Sequence, residues 1–353
     1  MTDAETAWNT EAYHRILCER IPDFLDPYLE VPAMRRLAGV GLLCGTDWTP
    51  LFHNRFFYSR LDHSLGAALI VWRFTKDKAQ TLAALFHDIA TPAFSHVTDF
   101  RNGDALTQES TEQPTAQMIA RDESLCALLK RDGLVPRDVD DYHRYPVADN
   151  DIPGLSADRL EYMYPSGAAL CGAWNLDEVR ENFLQVRVLE NERGLPELGF
   201  AELSAARLYT ERFCAISRLL QQNEDKVAMQ LMADVLSRAL SCGFVQEEEL
   251  YSLGEAELVA RFDSLAAAAE DAEFSRLFRT FRKMTRVERS ASPLPNAYCV
   301  SLRVKRRYVD PLVFCSAGSA RRLSQLDAPS AACIADFLAY EDSPCGCVEW
   351  KAY

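Results

Sequence analysis

Two histidines and two aspartates follow one another along the chain in an order that suits a metal ion. His63 comes first, His87 and Asp88 are neighbours at the end of an apolar run, and Asp158 comes later. Imidazole nitrogens and carboxylate oxygens together suit zinc, iron, manganese or nickel, whereas a dedicated calcium site is built of oxygens alone. The sequence therefore predicts a divalent transition metal (Mn, Fe, Ni or Zn), and the small ligand set favours one ion.

The neighbouring pair His87-Asp88 constrains the backbone that carries it. Adjacent side chains on a helix diverge by about 100°, so both reach one ion only where a helix ends, and Pro92 supplies such an end. His63 precedes a separate apolar segment, residues 64–74, so we expect two helices to meet at the ion. The alternative is two packed core histidines and a helix-capping aspartate, but a buried carboxylate beside imidazole is costly without a partner charge.

Asp158 has a simpler interpretation beside its role as a ligand. Aspartate is a good N-cap, and a helix starting at Arg159 would need one. Asp149 and Asp151 are rival candidates for the same ligand position. We predict Asp158 as the fourth ligand.

Composition bounds the class of protein. The chain has 353 residues, 48% of them hydrophobic, which is enough for a large core in one big domain or two modest ones. A net charge of -14 opposes nonspecific binding to nucleic acid, although a small anion can still bind in a locally positive pocket. No apolar run approaches the roughly 18 residues of a membrane span, and residues 1–15 lack a signal-peptide pattern. We expect a cytoplasmic protein without a membrane partner.

The cysteines carry a weaker signal. Eleven cysteines are scattered without framework spacing, which predicts reduced, mostly buried thiols. The close pair Cys345 and Cys347 could instead form a metal or redox site.

Periodicity predicts a mainly α protein. Apolar residues three and four apart indicate helices at residues 10–20, 33–43, 64–74, 77–88, 114–130, 176–190, 203–222, 226–241 and 255–268. β-forming residues cluster only after Ser290, at 297–304, 307–309 and 312–314, and predict a short C-terminal β element.

Four stretches of the chain resemble the HD-domain phosphohydrolase superfamily. They are the H...HD...D series itself with its flanks, at residues 32–37, 60–66, 87–96 and 158–162. The flanks are similar to the branch that contains deoxynucleoside triphosphate triphosphohydrolases, and the similarity runs from about residue 25 to about residue 315. The resemblance implies an HD-domain helical fold, metal-dependent phosphohydrolase activity, and His63, His87, Asp88 and Asp158 as ligands.

Together these signals divide the chain into four parts. Residues 1–50 are a helical lead-in, and residues 51–172 are the HD metal-binding core. Residues 173–290 are a helical extension packed on that core, and residues 291–353 are the C-terminal β element and tail.

Three residues near the predicted ligands are candidates for binding the substrate. Arg60 and Arg159 carry guanidinium groups that suit a phosphate clamp, and Tyr162 lies beside them in the motif. The family often has an acidic residue that binds the sugar after Tyr162, where this chain has Tyr164-Pro165-Ser166.

Three further residues are candidates for catalysis. His96 would offset charge on the phosphoryl oxygens, while Glu109 or Asp99 would accept or relay a proton. The family usually has histidine where this chain has Thr91, and a His-Glu pair where it has Gln108-Glu109.

The function that we predict is hydrolysis of a nucleotide or other small phosphate ester. A metal-bound hydroxide would attack phosphorus, because a bound ion lowers the pKa of water towards about 7. The alternative is a catalytically weakened regulatory or nucleotide-binding protein, which Thr91 and Gln108 favour. A third, less favoured alternative is nucleic-acid binding by a basic strip, Arg303, Lys305, Arg306 and Arg307. We also expect a homo-oligomer.

Overall fold

The computed structural model describes residues 8–108, 114–316 and 319–351, and within them the chain is mainly helical. The α-helices are α1 Thr10–Leu17, α2 Asp26–Leu29, α3 Pro32–Arg35, α4 Arg60–Thr75, α5 Lys78–Phe86, α6 Val97–Arg101, α7 Thr115–Arg121, α8 Glu123–Arg131, α9 Ala157–Cys171, α10 Leu176–Phe183, α11 Leu203–Leu219, α12 Asn223–Ser241, α13 Glu247–Leu250, α14 Glu255–Ala268, α15 Ala272–Lys283, α16 Leu323–Leu326 and α17 Ala328–Ala339. The strands are β1 Val186–Glu190, β2 Pro196–Phe200, β3 Glu288–Ser290, β4 Ala297–Val300, β5 Leu312–Ser316, β6 Ser319–Arg322 and β7 Cys345–Glu349.

The hairpin of α4 and α5 is determined by local capping signals. Ser59 accepts a hydrogen bond from the backbone of Asp62, and the Asp62 carboxylate accepts one from the backbone of Ser59, so α4 begins at Arg60 in a capping box. Lys76 takes a left-handed conformation that ends α4, and the side chain of Asp77 caps α5. These caps place the first turn of α4 and the last residues of α5 side by side.

Helix α9 packs against α4 and supplies the third part of the site. Its N-cap is Ser156, whose side chain accepts from the backbone N–H of Arg159. Asp158 is therefore inside the first turn of the helix, and the alternative that it caps the helix is wrong.

Two small sheets correct the prediction of a single C-terminal β element. One sheet has the order β1-β2-β5-β6, with β1 antiparallel to β2 and β2 parallel to β5. The other has the order β3-β7-β4 and is antiparallel. The helix predicted over residues 176–190 ends at Phe183, and Val186–Glu190 form an edge strand. Residues 186–190 form a strand because they pair with another segment of the chain, and local periodicity does not reveal such pairing.

The core consists of two apolar clusters. One lies around α1, α4, α5, α9 and α11, and the other around α12, α14 and α15. Residues 301–311, between β4 and β5, have no regular secondary structure and cross between them. We call residues 301–311 the connecting segment. Its backbone donates from Lys305 to Ala105 and from Asp310 to Pro153.

Two of the cysteines do not match the prediction of reduced, buried thiols. Cys299 on β4 and Cys347 on β7 are directly paired across the sheet and form a disulfide. The other nine cysteines are free, and only Cys18, Cys214 and Cys345 among them are buried. The spacing along the chain did not reveal the disulfide because its partners meet only in the sheet.

As for the membrane, none of the helices formed by the described residues combines the length and the apolar character that a bilayer crossing requires.

Candidate metal centre

The structure brings together all four residues that the sequence predicts as metal ligands. His63 lies in the first turn of α4, His87 follows the last residue of α5, Asp88 lies in the turn beyond it, and Asp158 lies in α9. The two Nε2 atoms are 3.1 Å apart. Asp158 Oδ1 lies 3.0 Å from His63 Nε2 and 3.7 Å from His87 Nε2, and Asp88 Oδ2 lies 3.8 Å and 3.4 Å from the same atoms. Three elements meet here, where the sequence predicted two helices.

Both imidazoles direct Nε2 towards the centre of the cluster. His63 Nδ1 lies 2.5 Å from Glu161 Oε2, and His87 Nδ1 lies 2.7 Å from the carbonyl oxygen of Ala84. Because these oxygens accept a hydrogen bond from Nδ1–H, Nε2 is the ring nitrogen that could bind an ion. Ligand bonds of about 2.0–2.2 Å place neighbouring ligand atoms about 3 Å apart. The spacing and chemistry of the cluster therefore fit a divalent cation.

The charges within the cluster shift the pKa of His63, Asp88 and Asp158. Burial alone would lower the pKa of His63, but Glu161 and Asp158 outweigh it and raise the pKa to about 10. Burial would raise the pKa of Asp88, but Arg60 and the two imidazoles hold it well below its usual range. The pKa of Asp158 is also held low, chiefly by His63. The carboxylates of the cluster therefore stay ionised and stabilise a positive charge beside them, such as that of a bound cation.

Glu161 lies within the motif at residues 158–162 but is not among the predicted site residues. It is fully buried, and besides His63 it accepts a hydrogen bond from the Tyr58 hydroxyl at 2.6 Å. A carboxylate behind a ligating histidine fixes the ring and raises its basicity. Gly66, one turn beyond His63, makes room for it, because a methyl group there would lie 2.8 Å from both Cγ and Cδ of Glu161. The signal was present, since Glu161 lies three residues after Asp158 on the same face of α9.

Asp88 is held by two further side chains. Arg60 Nη1 donates to Asp88 Oδ2 at 2.8 Å, and Arg60 Nε donates to Ser95 Oγ at 3.0 Å. Thr91 Oγ1 donates to Asp88 Oδ1 at 2.8 Å. Arg60, predicted to bind substrate, is therefore the counter-charge of Asp88, a predicted ligand, and Thr91 holds the same carboxylate in place.

Replacing Thr91 with valine should weaken metal binding roughly 10-fold, the lower end of the range for groups that orient a ligand. The substitution keeps the shape of the side chain and removes only the hydrogen bond to Asp88. The measurement is the dissociation constant of the metal by competition with a chelator. Thr98→Val is the matched control, because the Thr98 hydroxyl is buried and has no hydrogen-bond partner among the described residues. Equal weakening in both variants would contradict this assignment.

The ligands open into a cavity of about 670 Å³. His96 lines this cavity, and its Nδ1 lies 2.8 Å from Asp99 Oδ2. Burial lowers the pKa of His96, with Asp99 acting in the opposite direction. Asp99 is fully buried behind His96 and does not line the cavity. Glu109, the third predicted catalytic residue, lies outside the described residues.

The two other predicted substrate-binding residues also line the cavity. Arg159 pairs with Asp149 at 3.0 Å and donates to the Gly154 carbonyl and to Asn150. Most of its donors are therefore used within the protein. The hydroxyl of Tyr162 is buried without a hydrogen-bond partner among the described residues, and burial raises its pKa to about 12. Tyr162 thus offers the cavity an unused donor and acceptor.

The rival ligand candidates have other partners. Asp149 forms an ion pair with Arg159 and lies 2.7 Å from His143 Nδ1, so its carboxylate has partners outside the cluster. Asp151 is exposed and pairs with Arg193. His143, which is not among the predicted site residues, also lines the cavity. No local motif marks His143, because the packing of distant segments brings it there.

The basic strip after β4 is divided in the structure. Arg303 is exposed, and Arg306 donates to the backbone carbonyls of Leu338 and Tyr340. Lys305 and Arg307 instead line the cavity. The strip is therefore not one continuous face for nucleic acid, because the connecting segment has no strand periodicity.

Comparisons with known proteins agree with this fold. No family model matches the chain. Over 153 residues it is 28% identical to the uncharacterized protein YdhJ of Bacillus subtilis (strain 168), and the match covers 42% of this chain and 44% of that protein. A phosphohydrolase from Bacteroides thetaiotaomicron superimposes with a TM-score of 0.63 at 15% identity, over 94% of this chain and 97% of that one. A hypothetical protein from Aquifex aeolicus superimposes with a TM-score of 0.61 at 16% identity, over 93% and 92%. The chain therefore shares the fold of a protein named as a phosphohydrolase.

Proposed function

We propose that this protein is a metal-dependent phosphohydrolase of the HD-domain superfamily. Its substrate would be a nucleotide or other small phosphate ester, in keeping with the resemblance to deoxynucleoside triphosphate triphosphohydrolases. The observation that carries the proposal is the convergence of His63, His87, Asp88 and Asp158 at the wall of one cavity. A volume of about 670 Å³ lies within the range of small-molecule sites.

In this proposal the chain's own residues divide the work of phosphate ester hydrolysis. When bound, the ion would lower the pKa of water and draw charge from a phosphoryl oxygen. Arg60 keeps Asp88 ionised and in place, and Glu161 does the same for the ring of His63. Because Nδ1 of His96 is held by Asp99, its Nε2 is the atom available to exchange a proton with the substrate. Glu109 and Asp99 remain candidates for accepting or relaying that proton.

One observation favours the alternative of a weakened regulatory or nucleotide-binding protein. The family usually has histidine at position 91, whereas here the Thr91 hydroxyl already donates to Asp88. Position 91 therefore offers no proton to a leaving group. In this alternative the protein has the metal site and the cavity but hydrolyses phosphate esters much more slowly.

A panel of substrates distinguishes these two functions. Metal-loaded protein is incubated with an aryl phosphate, nucleoside monophosphates and deoxynucleoside triphosphates, and released phosphate and triphosphate are measured separately. If general acid catalysis is missing at position 91, aryl phosphates should react faster than nucleoside monophosphates, because such catalysis contributes about 10² to 10⁴ in rate. Thr91→His should narrow that difference by accelerating the poorer leaving group.

Two results would redirect the proposal. Cleavage of deoxynucleoside triphosphates as fast as any aryl phosphate would mean that another residue, His96 or Glu109, supplies the proton. No release from any substrate by fully metal-loaded protein would favour the regulatory alternative.

A further inference from the structure

Three arginines line the cavity, and two of them are already engaged by the protein. Arg60 donates to the Asp88 carboxylate and to Ser95 Oγ. Arg159 pairs with Asp149 and donates to the backbone and side chain of the loop before α9. Both guanidinium groups therefore have protein acceptors that hold them in place.

Arg307 is different. It is half-buried on the connecting segment, and within the described parts of the chain its guanidinium has no hydrogen bond and no ion pair. Its charge is close enough to affect three other groups in the cavity, namely His96, Tyr162 and Asp225. Arg307 thus lines the same cavity as His96 and as Tyr162, whose hydroxyl has no hydrogen-bond partner among the described residues.

A guanidinium group carries five N–H donors and no acceptor, and burying it without partners is costly. Its planar fork matches the oxygens of a phosphate group, which accept two parallel hydrogen bonds. Asp225 also lines the cavity, and burial raises its pKa to about 7, so above that pH its negative charge opposes the charge of Arg307.

We propose that Arg307 is the anion-binding residue that holds the phosphoryl oxygens of the substrate. This inference rests on the proposed function and adds a binding residue that the sequence analysis had considered only for nucleic acid. Arg60 then holds Asp88 in place and Arg159 contributes positive charge, while Arg307 contacts the ligand. Asp225 weakens the binding of any anion in the same cavity, since its charge opposes that of Arg307.

Binding of inorganic phosphate to the metal-loaded protein, measured by titration calorimetry, tests this proposal. Arg307→Gln should weaken phosphate binding roughly 10- to 100-fold, the range for a lost hydrogen bond to a charged group. Arg307→Lys keeps the charge but not the fork, so its loss should be smaller. Arg303→Gln, on the same segment but exposed, is the matched control and should bind phosphate like the wild type. Asp225→Asn should bind phosphate more tightly, because it removes the opposing charge.

Metal content measured on every variant separates this inference from the function on which it rests. If Arg307→Gln and Arg307→Lys hold full metal and bind phosphate as tightly as the wild type, the role of Arg307 is refuted. Hydrolysis by the wild type in that experiment would leave the proposed function standing. If the metal-loaded wild type neither binds phosphate nor hydrolyses any ester, both proposals fall together.

Discussion

Replacing Asp88 with alanine is expected to weaken metal binding by more than about 100-fold, since even groups that only orient a ligand are worth 10–100-fold. The variant loses an anionic ligand and leaves Arg60 buried without its carboxylate partner. Removing one partner of a buried ion pair typically costs about 3–5 kcal/mol, so the thermal midpoint should fall as well. Metal content after dialysis, measured by atomic emission, checks the first effect, and calorimetric unfolding checks the second.

Asp149→Ala is the matched control for this experiment. It also leaves a buried arginine, Arg159, without its carboxylate partner, but Asp149 lies outside the cluster. Its stability should therefore fall while its metal content stays near that of the wild type. Full metal retention by Asp88→Ala would refute the site, and metal loss by Asp149→Ala would restore Asp149 as a ligand.

Gly66→Ala is expected to destabilise the protein, although alanine normally stabilises a helix by about 0.5–1 kcal/mol relative to glycine. Gly66 lies inside α4, and a methyl group there would overlap the Glu161 side chain. Overpacking of a rigid core typically costs about 1–3 kcal/mol. Displacement of Glu161 from His63 should also weaken metal binding about 10- to 100-fold. Chemical denaturation and chelator competition measure the two effects.

A double-mutant cycle assigns this effect to Glu161. Glu161→Ala removes the side chain that the new methyl group would meet. In that background Gly66→Ala should no longer destabilise the protein, and the helix preference for alanine should reappear. Additive losses in the double variant would show that the methyl group clashes with something else.

The mainly helical prediction is confirmed, and its error at β1 has a physical cause. Long helices such as α12 and α14 carry an apolar stripe that repeats within the helix itself, so their bounds were predicted to within a few residues. The edge strand β1 has no such internal signal, because its pairing with β2 and the pairing of β2 with β5 involve separate parts of the chain. Local pattern therefore failed where non-local pairing decides the structure.

The candidate site shows the same division. The residue types and their order along the chain were sufficient to predict the ligands, because few residue types bind a transition metal. The predicted ligands are His63, His87, Asp88 and Asp158. Contacts such as that of Thr91 with Asp88 depend on a turn whose geometry the sequence did not specify. The position of Arg307 depends on how the connecting segment crosses between the two apolar clusters, and no local pattern encodes that path.

The position of Arg307 in the chain has a consequence for how the protein is made. All four metal ligands precede Arg307, and the backbone of its segment reaches back to bond Ala105 and Pro153. A ribosome adds about 5–20 residues per second, so the four predicted ligands are synthesised on the order of ten seconds before the connecting segment, which lines the cavity. Under the proposed function, a nascent chain would therefore contain all its metal-binding residues before Arg307 is made, and its metal affinity would precede its affinity for substrate.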